Sequence, residues 1–358
     1  MRLVDCSCAA FEGLSIQEKI PLVSQKDGTP FHTLFAQQFS RDVLDDLCTL
    51  ATEIRTIAKS RTGMQFLQSQ LCHKRAMLYF SQPSSRTFLS FLSACQILGI
   101  STGELRDAAT SSEFKGESRE DSVRTFSSYF DLIIMRTPEK GLAEHMAWVL
   151  SHSERPVPII NAGSGQDQHP TQALLDIYTL QRSFERRGGL AHRRVAFVGD
   201  LLRGRTVRSL SALLMNYEDI EQIFVAPEAL QIGEDVREAL DAAKVRWRTT
   251  SDMASVLPEV DALYMTRIQD EWDACKGDSA KIDISKFRIG VEEMKAMRPD
   301  AILMHPLPRR SEIAVEVDRD PRAMYWRQMR NGMWIRTALI AATFGCSSRI
   351  HEFYKESV

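Results

Sequence analysis

The chain has no run of eighteen apolar residues, so no stretch of it reads as a membrane-spanning helix. Its N-terminus carries Asp5 and Glu12 and lacks a basic segment followed by a long apolar core, which predicts an unexported, cytoplasmic protein. A basic surplus is missing as well. The 45 Lys and Arg stand against 47 Asp and Glu, which argues against general nucleic-acid binding but leaves room for a local pocket that holds a small anion. Seven cysteines (Cys6, Cys8, Cys48, Cys72, Cys95, Cys275 and Cys346) include no Cys-x-x-Cys pair, and their number is odd. That pattern predicts free thiols in a reducing compartment and no zinc site. There is no P-loop, no metal-ligand cluster in sequence and no ordered Ser-His-Asp set. Any catalysis should therefore rest on positioning and electrostatic stabilisation, without a covalent nucleophile.

What the chain does have is concentrated at Phe80-Ser-Gln-Pro-Ser-Ser-Arg-Thr-Phe-Leu-Ser-Phe91. Ala76 to Phe80 reads as a buried strand, and Phe88, Phe91, Leu92, Cys95 and Leu98 recur at helical spacing. The first N–H groups of a helix have no internal partners and the dipole there is positive, so the junction favours an anion. Ser84, Ser85, Arg86 and Thr87 add side-chain donors, which outlines a phosphate site. The plainer reading of the same residues is a capping serine followed by an exposed arginine.

The rest of the chain alternates strands and helices. Ser40 caps a helix carrying Val43, Leu44, Leu47, Leu50 and Ile54, and a polar loop runs from Thr110 to Ser118. Asp131 to Arg136 and Pro158 to Gly165 read as strands that end in polar groups, and Pro170 opens a helix with His169 and Gln172 at its start. After Arg187-Gly-Gly189 the periodicity restarts, with strands expected at Val195–Val198, 223–226, 262–266 and 301–304. This predicts an α/β protein of two doubly wound parallel-sheet domains. Residues 1–32 form an extension, 33–185 a first domain completed by a C-terminal helix in 330–358, and 186–329 a second domain. The Gly199 to Gly204 turn lacks the dinucleotide fingerprint. Arg86, Lys115, Arg136, Arg205, Arg267 and Arg309, with His169 and His305, fall at strand ends or helix starts, which suits a polyanionic substrate or a pair of anionic ones.

Seven motifs in order, Ser84-Ser-Arg-Thr87, Lys115-Gly-Glu117, Met135-Arg136, His169-Pro-Thr-Gln172, Gly204-Arg-Thr206, Thr266-Arg-Ile-Gln269 and His305-Pro-Leu-Pro-Arg309, resemble those of the aspartate carbamoyltransferases over residues 38 to 345. His-Pro-Leu-Pro is similar to the aspartate branch, since the ornithine branch has His-Cys-Leu-Pro there. The resemblance implies a first domain for carbamoyl phosphate, a second for L-aspartate, an active site in the cleft between them, and a product that feeds pyrimidine biosynthesis. By the same resemblance Ser84, Ser85, Arg86 and Thr87 hold the phosphate. Thr87, Arg136 and His169 face the carbamoyl oxygen, and Gln172 orients the carbamoyl amide. Arg205 and Arg267 take the aspartate carboxylates with Gln269 assisting, and the Leu307 carbonyl faces the reacting nitrogen. Ser111 and Lys115 complete a neighbouring subunit's site, which implies a homotrimer, and neither a metal nor an organic cofactor is implied.

The pattern departs from that family at Gln82, Phe88, Phe114, Leu202 and Trp272, where the relatives carry charged residues. Gln82 and Trp272 replace both partners of a closure ion pair, which reads as a rewired contact because no charge is stranded. Restoring arginine at Phe88 is expected to act modestly, mainly on aspartate affinity. The neutral positions keep two alternatives in view: a carbamoyltransferase for a related amino acceptor, and a non-catalytic ligand-binding paralogue.

Overall fold

The computed structural model describes residues 3–106, 116–165, 168–270, 282–283 and 285–357. The chain forms two compact units. Met1–Leu174 with Gly332–Val358 makes unit 1, and Leu175–Asn331 makes unit 2. Both divisions fall inside helices, Pro170–Phe184 and Tyr325–Thr343.

Unit 1 is built on β1 (Arg75–Phe80), β2 (Ser101–Leu105), β3 (Leu132–Thr137) and β4 (Ile159–Ser164), all parallel, in the order β2-β1-β3-β4. Every residue of β3 and β4 is buried, as is β1 after Arg75. That is how strands covered on both faces read, and it explains the apolar runs that open them, Ala76–Phe80, Leu132–Met135 and Ile159–Ile160, before the polar residues at the ends of β3 and β4. β2 is the edge strand. Its Ser-Thr-Gly-Glu-Leu sequence has no apolar face to bury, so periodicity gave no sign of it.

The extension belongs to unit 1. Ser7 and Ser15 cap the helices Cys8–Gly13 and Ile16–Val23, Phe11 and Val23 enter the core, and Trp148 Nε1–H donates to the Cys6 carbonyl at 2.8 Å. His32 then docks the chain against β4: its Nδ1 accepts from the Ile159 N–H at 3.1 Å and its Nε2 lies 2.9 Å from Ser151 Oγ. At the other end of the chain, the helix Ser347–Ser357 returns to the helix Arg41–Ile57. Phe353 stacks on Phe66 at 3.9 Å, and His351 pairs with Glu53.

Unit 2 is built on β5 (Arg194–Val198), β6 (Glu221–Val225), β7 (Arg246–Thr250), β8 (Ala262–Met265) and β9 (Ile302–Met304), again all parallel, in the order β7-β6-β5-β8-β9. Phe197 stacks on Phe224 at 5.2 Å and meets the Tyr264 ring at 5.7 Å, joining the three central strands. β7, Arg-Trp-Arg-Thr-Thr, is a second polar edge strand outside the strands expected from the sequence.

The α/β class and the two doubly wound parallel sheets match the sequence expectation. In each sheet the chain winds outward from a central strand and then restarts on that strand's other side. The reversal lies between β1 and β3 in unit 1, and between β5 and β8 in unit 2. Open α/β sheets bind ligands beyond the carboxyl ends of the strands at such reversals.

Candidate active site

At the reversal of unit 1, β1 runs into the helix Ser85–Ile97 through Ser81 to Ser84. Ser84 is the N-cap residue, yet its side chain makes no capping bond. Ser7, Ser15, Ser40, Ser60 and Ser118 head their helices and each does accept a backbone N–H. A helix start whose serine does not cap it keeps its amide donors for an incoming anion. Ser85 and Arg86 are exposed there, while Thr87 is buried.

Arg136, at the end of β3, is clamped into the same place. Its carbonyl accepts from Gln82 N–H and Ser81 Oγ, both at 3.3 Å, and its guanidinium donates to the Ala162 carbonyl at 3.0 Å. The ends of β1, β3 and β4 are thus tied through one residue, a buried cation. From β4 the chain reaches Gln168, whose carbonyl accepts from Ser164 N–H at 3.1 Å. His169 then starts the helix Pro170–Phe184, its carbonyl accepting from Gln172 N–H at 3.0 Å and Ala173 N–H at 3.2 Å. His169 and Gln172 are both buried. Proline in the first turn costs no hydrogen bond because that N–H has no helical partner. The structure therefore gathers Ser84, Ser85, Arg86, Thr87, Arg136, His169 and Gln172 at the strand ends of one sheet. Ser111 and Lys115 lie outside the described residues, as do Phe114 and Trp272.

At the reversal of unit 2, Gly199 has φ +114°, and a Cβ there would lie 2.3 Å from the Thr266 carbonyl oxygen. Only glycine lets the ends of β5 and β8 approach this closely. Asp200 follows, with no solvent exposure. It receives Arg203 through Nε at 2.8 Å and Nη2 at 2.7 Å, the Arg203 N–H at 3.2 Å, and the Gln269 N–H at 3.0 Å. One carboxylate thereby folds the turn before Arg205, the first residue of the helix Arg205–Leu214, and fixes the segment after β8 that carries Arg267 and Gln269. Arg267 donates to the Ile268 carbonyl at 2.8 Å, and its guanidinium lies 3.8 Å from the Asp270 carboxylate. Leu202 is 42 % exposed in the same turn.

After β9 the chain turns at His305-Pro-Leu-Pro308, with Leu307 at φ +57° and a cis peptide bond before Pro308. A branched residue with positive φ is held by its surroundings. His305 does the holding: Nδ1 accepts from the Leu307 N–H at 2.7 Å, which leaves Nε2–H to donate to Glu312 at 2.8 Å. Burial raises the Glu312 carboxyl, but the hydrogen bonds from His305 and the Arg310 N–H outweigh it and hold the group below the usual glutamate range. The His305 N–H donates to Gln328 Oε1 at 2.9 Å, Gln328 donates to Asp176 at 2.6 Å, and Tyr264 Oη donates to Asp176 at 2.8 Å. Arg309 is drawn away to Asp318 and Tyr325. Arg205, Arg267, Gln269 and Leu307 thus all lie beyond the strand ends of the second sheet.

Asp200, Glu312, Asp176 and Gln328 were not singled out in the sequence. Asp200 alone had a local signal, an acidic residue directly after a strand-ending glycine.

Two α/β sheets that each present cations at their reversal suit anionic ligands, and comparison with known proteins names the family. Residues 32–182 match the "Aspartate/ornithine carbamoyltransferase, carbamoyl-P binding domain", and residues 191–343 match the "Aspartate/ornithine carbamoyltransferase, Asp/Orn binding domain". The chain belongs to the aspartate/ornithine carbamoyltransferase family. Among its relatives, aspartate carbamoyltransferase 3 (chloroplastic) of Pisum sativum is 41 % identical over 309 residues, 85 % of this chain and 75 % of that one. The aspartate carbamoyltransferase catalytic subunit of Vibrio cholerae is 43 % identical over 271 residues, 75 % of this chain and 84 % of that one. The crystal structure of aspartate transcarbamoylase from Trypanosoma cruzi in complex with carbamoyl aspartate and phosphate has a TM-score of 0.78 at 35 % identity, covering 86 % of this chain and 94 % of that one. The family resemblance read from the seven motifs is borne out.

Proposed function

We propose that this protein is an aspartate carbamoyltransferase, transferring the carbamoyl group of carbamoyl phosphate to the amine of L-aspartate to give N-carbamoyl-L-aspartate and phosphate. The observation that carries the reading is Ser84, a helix-heading serine that leaves its helix uncapped beside the buried Arg136. In this scheme the amides at Ser85 to Thr87 and the side chains of Ser84, Ser85 and Arg86 hold the phosphate, joined by Ser111 and Lys115 of a neighbouring subunit in a homotrimer. The aspartate amine attacks the carbamoyl carbon, the C–O bond to phosphate breaks, and the amine proton leaves with the phosphate. Negative charge grows on the carbamoyl oxygen, where Thr87, Arg136 and His169 supply donors; the Ala162 carbonyl already holds the Arg136 guanidinium, which supports a low reorganisation for its part of the step. Gln172 orients the carbamoyl amide. Arg205 and Arg267 take the two carboxylates of aspartate, a task suited to planar guanidinium forks, and Gln269 assists. The Leu307 carbonyl faces the attacking nitrogen.

The reading is tested by incubating the purified protein with labelled carbamoyl phosphate and L-aspartate and following N-carbamoyl-L-aspartate. No product at saturating concentrations of both would overturn it. A related acceptor is the second reading, favoured by Leu202, which places an exposed neutral side chain in the turn before Arg205. A screen of amino acceptors at fixed carbamoyl phosphate separates the two. Binding of a bisubstrate phosphonate without turnover would indicate a non-catalytic paralogue. Among the described residues no helix is long and apolar enough to cross a membrane. The reaction is a step of pyrimidine biosynthesis, and the acidic residues Asp5 and Glu12 without a basic segment and long apolar core favour the cytoplasm as its compartment.

A further inference from the structure

The extension brings together three groups that are scattered in the sequence. Cys8 and Glu12 stand one turn apart on the helix Cys8–Gly13, and His145 faces them from the helix Leu142–Ser151. Cys8 Sγ lies 3.3 Å from His145 Nδ1 and 3.4 Å from Glu12 Oε1, and Nδ1 lies 3.0 Å from the same oxygen. For zinc bonded to sulfur at about 2.3 Å and to nitrogen and oxygen at about 2.0–2.1 Å, one face of the tetrahedron has edges of about 3.3–3.6 Å. The observed triangle matches that face after an outward shift of a few tenths of an ångström.

The other ring nitrogen supplies a separate indication. His145 Nε2 lies 2.8 Å from Glu120 Oε1, on the helix Arg119–Tyr129. A carboxylate on the far nitrogen of a ligating histidine is the usual outer partner of such a ligand, fixing its tautomer and raising its basicity. We propose that Cys8, Glu12 and His145 form a zinc(II) site, with Glu120 orienting the imidazole and a fourth position left for water.

The donor set selects the metal. A thiolate, an imidazole and a carboxylate suit zinc, whereas magnesium and calcium take oxygen ligands. A bound metal cation would displace the Cys8 thiol proton outright. The expectation of no zinc site came from spacing within the chain. The triad escapes it because its histidine comes 137 residues after its cysteine. When filled, the site would staple the first helix of the extension to the helix at Leu142, within unit 1.

The test uses the full-length protein, stripped with a chelator and titrated with zinc against a chromophoric competitor, and in parallel with cobalt(II) as a spectroscopic substitute. One equivalent should bind, and cobalt should give a thiolate charge-transfer band. Cys8→Ser should remove that band and weaken zinc binding by at least about 100-fold, and Glu120→Gln should weaken it about 10- to 100-fold while keeping the band. Cys72→Ser, at an exposed cysteine, should change neither. A folded wild-type protein with no charge-transfer band, or a band that survives Cys8→Ser, would mean that the four residues form a proton-bridged ion-pair cluster only, and would overturn the proposal.

Discussion

The backbone N–H of Gln269 donates to Oδ2 of Asp200 at 3.0 Å, so a carboxylate without solvent exposure ties the segment after β8 to the turn after β5. Asp200→Ala would remove the buried carboxylate that holds the Arg203 guanidinium and release that segment together with Arg267. Removing one partner of a buried ion pair costs about 3–5 kcal/mol. Urea unfolding should report a loss of that order, and steady-state kinetics should show the KM for L-aspartate rising at least about tenfold while that for carbamoyl phosphate changes little.

The His305–Glu312 pair should act on turnover through Leu307. Without Glu312 the imidazole loses the partner that holds Nδ1 toward the Leu307 N–H. Glu312→Ala should lower kcat by about 10- to 100-fold, or about 1.4–2.7 kcal/mol of barrier. Glu312→Gln keeps an acceptor oxygen and should recover part of it. A variant that lost thermal stability but kept full kcat at a permissive temperature would assign the pair to structure alone.

Phe88 carries a different consequence from the one its sequence position suggested. It is 3 % exposed, meets Phe80 edge to face at 5.4 Å, and lies under the Arg106 guanidinium, 4.4 Å from its ring centroid. The expectation of a modest effect on aspartate affinity left the burial of Phe88 out of account. Phe88→Arg instead buries a second cation beside Arg106 and should destabilise by about 3–5 kcal/mol, as core aromatic losses do. Chemical denaturation would show this, and Arg106→Gln in the same chain should relieve part of it.

Arg86 is exposed, so its removal should cost the fold little. Arg86→Ala should lower kcat/KM for carbamoyl phosphate by at least about 10²-fold with an unchanged melting temperature. A comparable loss of melting temperature would point to a packing role.

His32 predicts the response to acid. Burial lowers its pKa from 6.5 to about 3, so between those values the unfolded chain binds a proton that the folded chain refuses. Stability is then fully present above pH 6.5 and falls as the pH drops toward 3, by about 1.4 kcal/mol at pH 5.5 from this group. A His32→Asn variant should lose this increment, so its unfolding midpoint should change less between pH 7.5 and 5.5 than the wild type's.

The central strands were legible because burial on both faces leaves an apolar run, as in Leu132–Met135. β2 and β7 were not, since an edge strand is set by backbone pairing with its neighbour, and Ser101–Leu105 has little else to show. The C-terminal helix was expected within 330–358 but begins at Tyr325, where Arg327, Gln328, Arg330 and Asn331 interrupt the apolar pattern. The candidate ligand contacts were legible for a related reason. They follow strand ends directly, whereas the groups that hold them, such as Asp176 bonded to Gln328 152 residues later, meet only after folding.

Unit 1 is made of two pieces of chain, and the second holds the helix whose Phe353 stacks on Phe66. On the ribosome, the residues of unit 2 must all be synthesised before that helix exists. Unit 2 can therefore form while the helix Arg41–Ile57 still lacks its cover, and contacts spanning almost the whole sequence close last. A nascent chain halted before Gly332 would leave Glu53 and Phe66 without the partners that His351 and Phe353 bring, so unit 1 depends for its cover on residues made after the whole of unit 2.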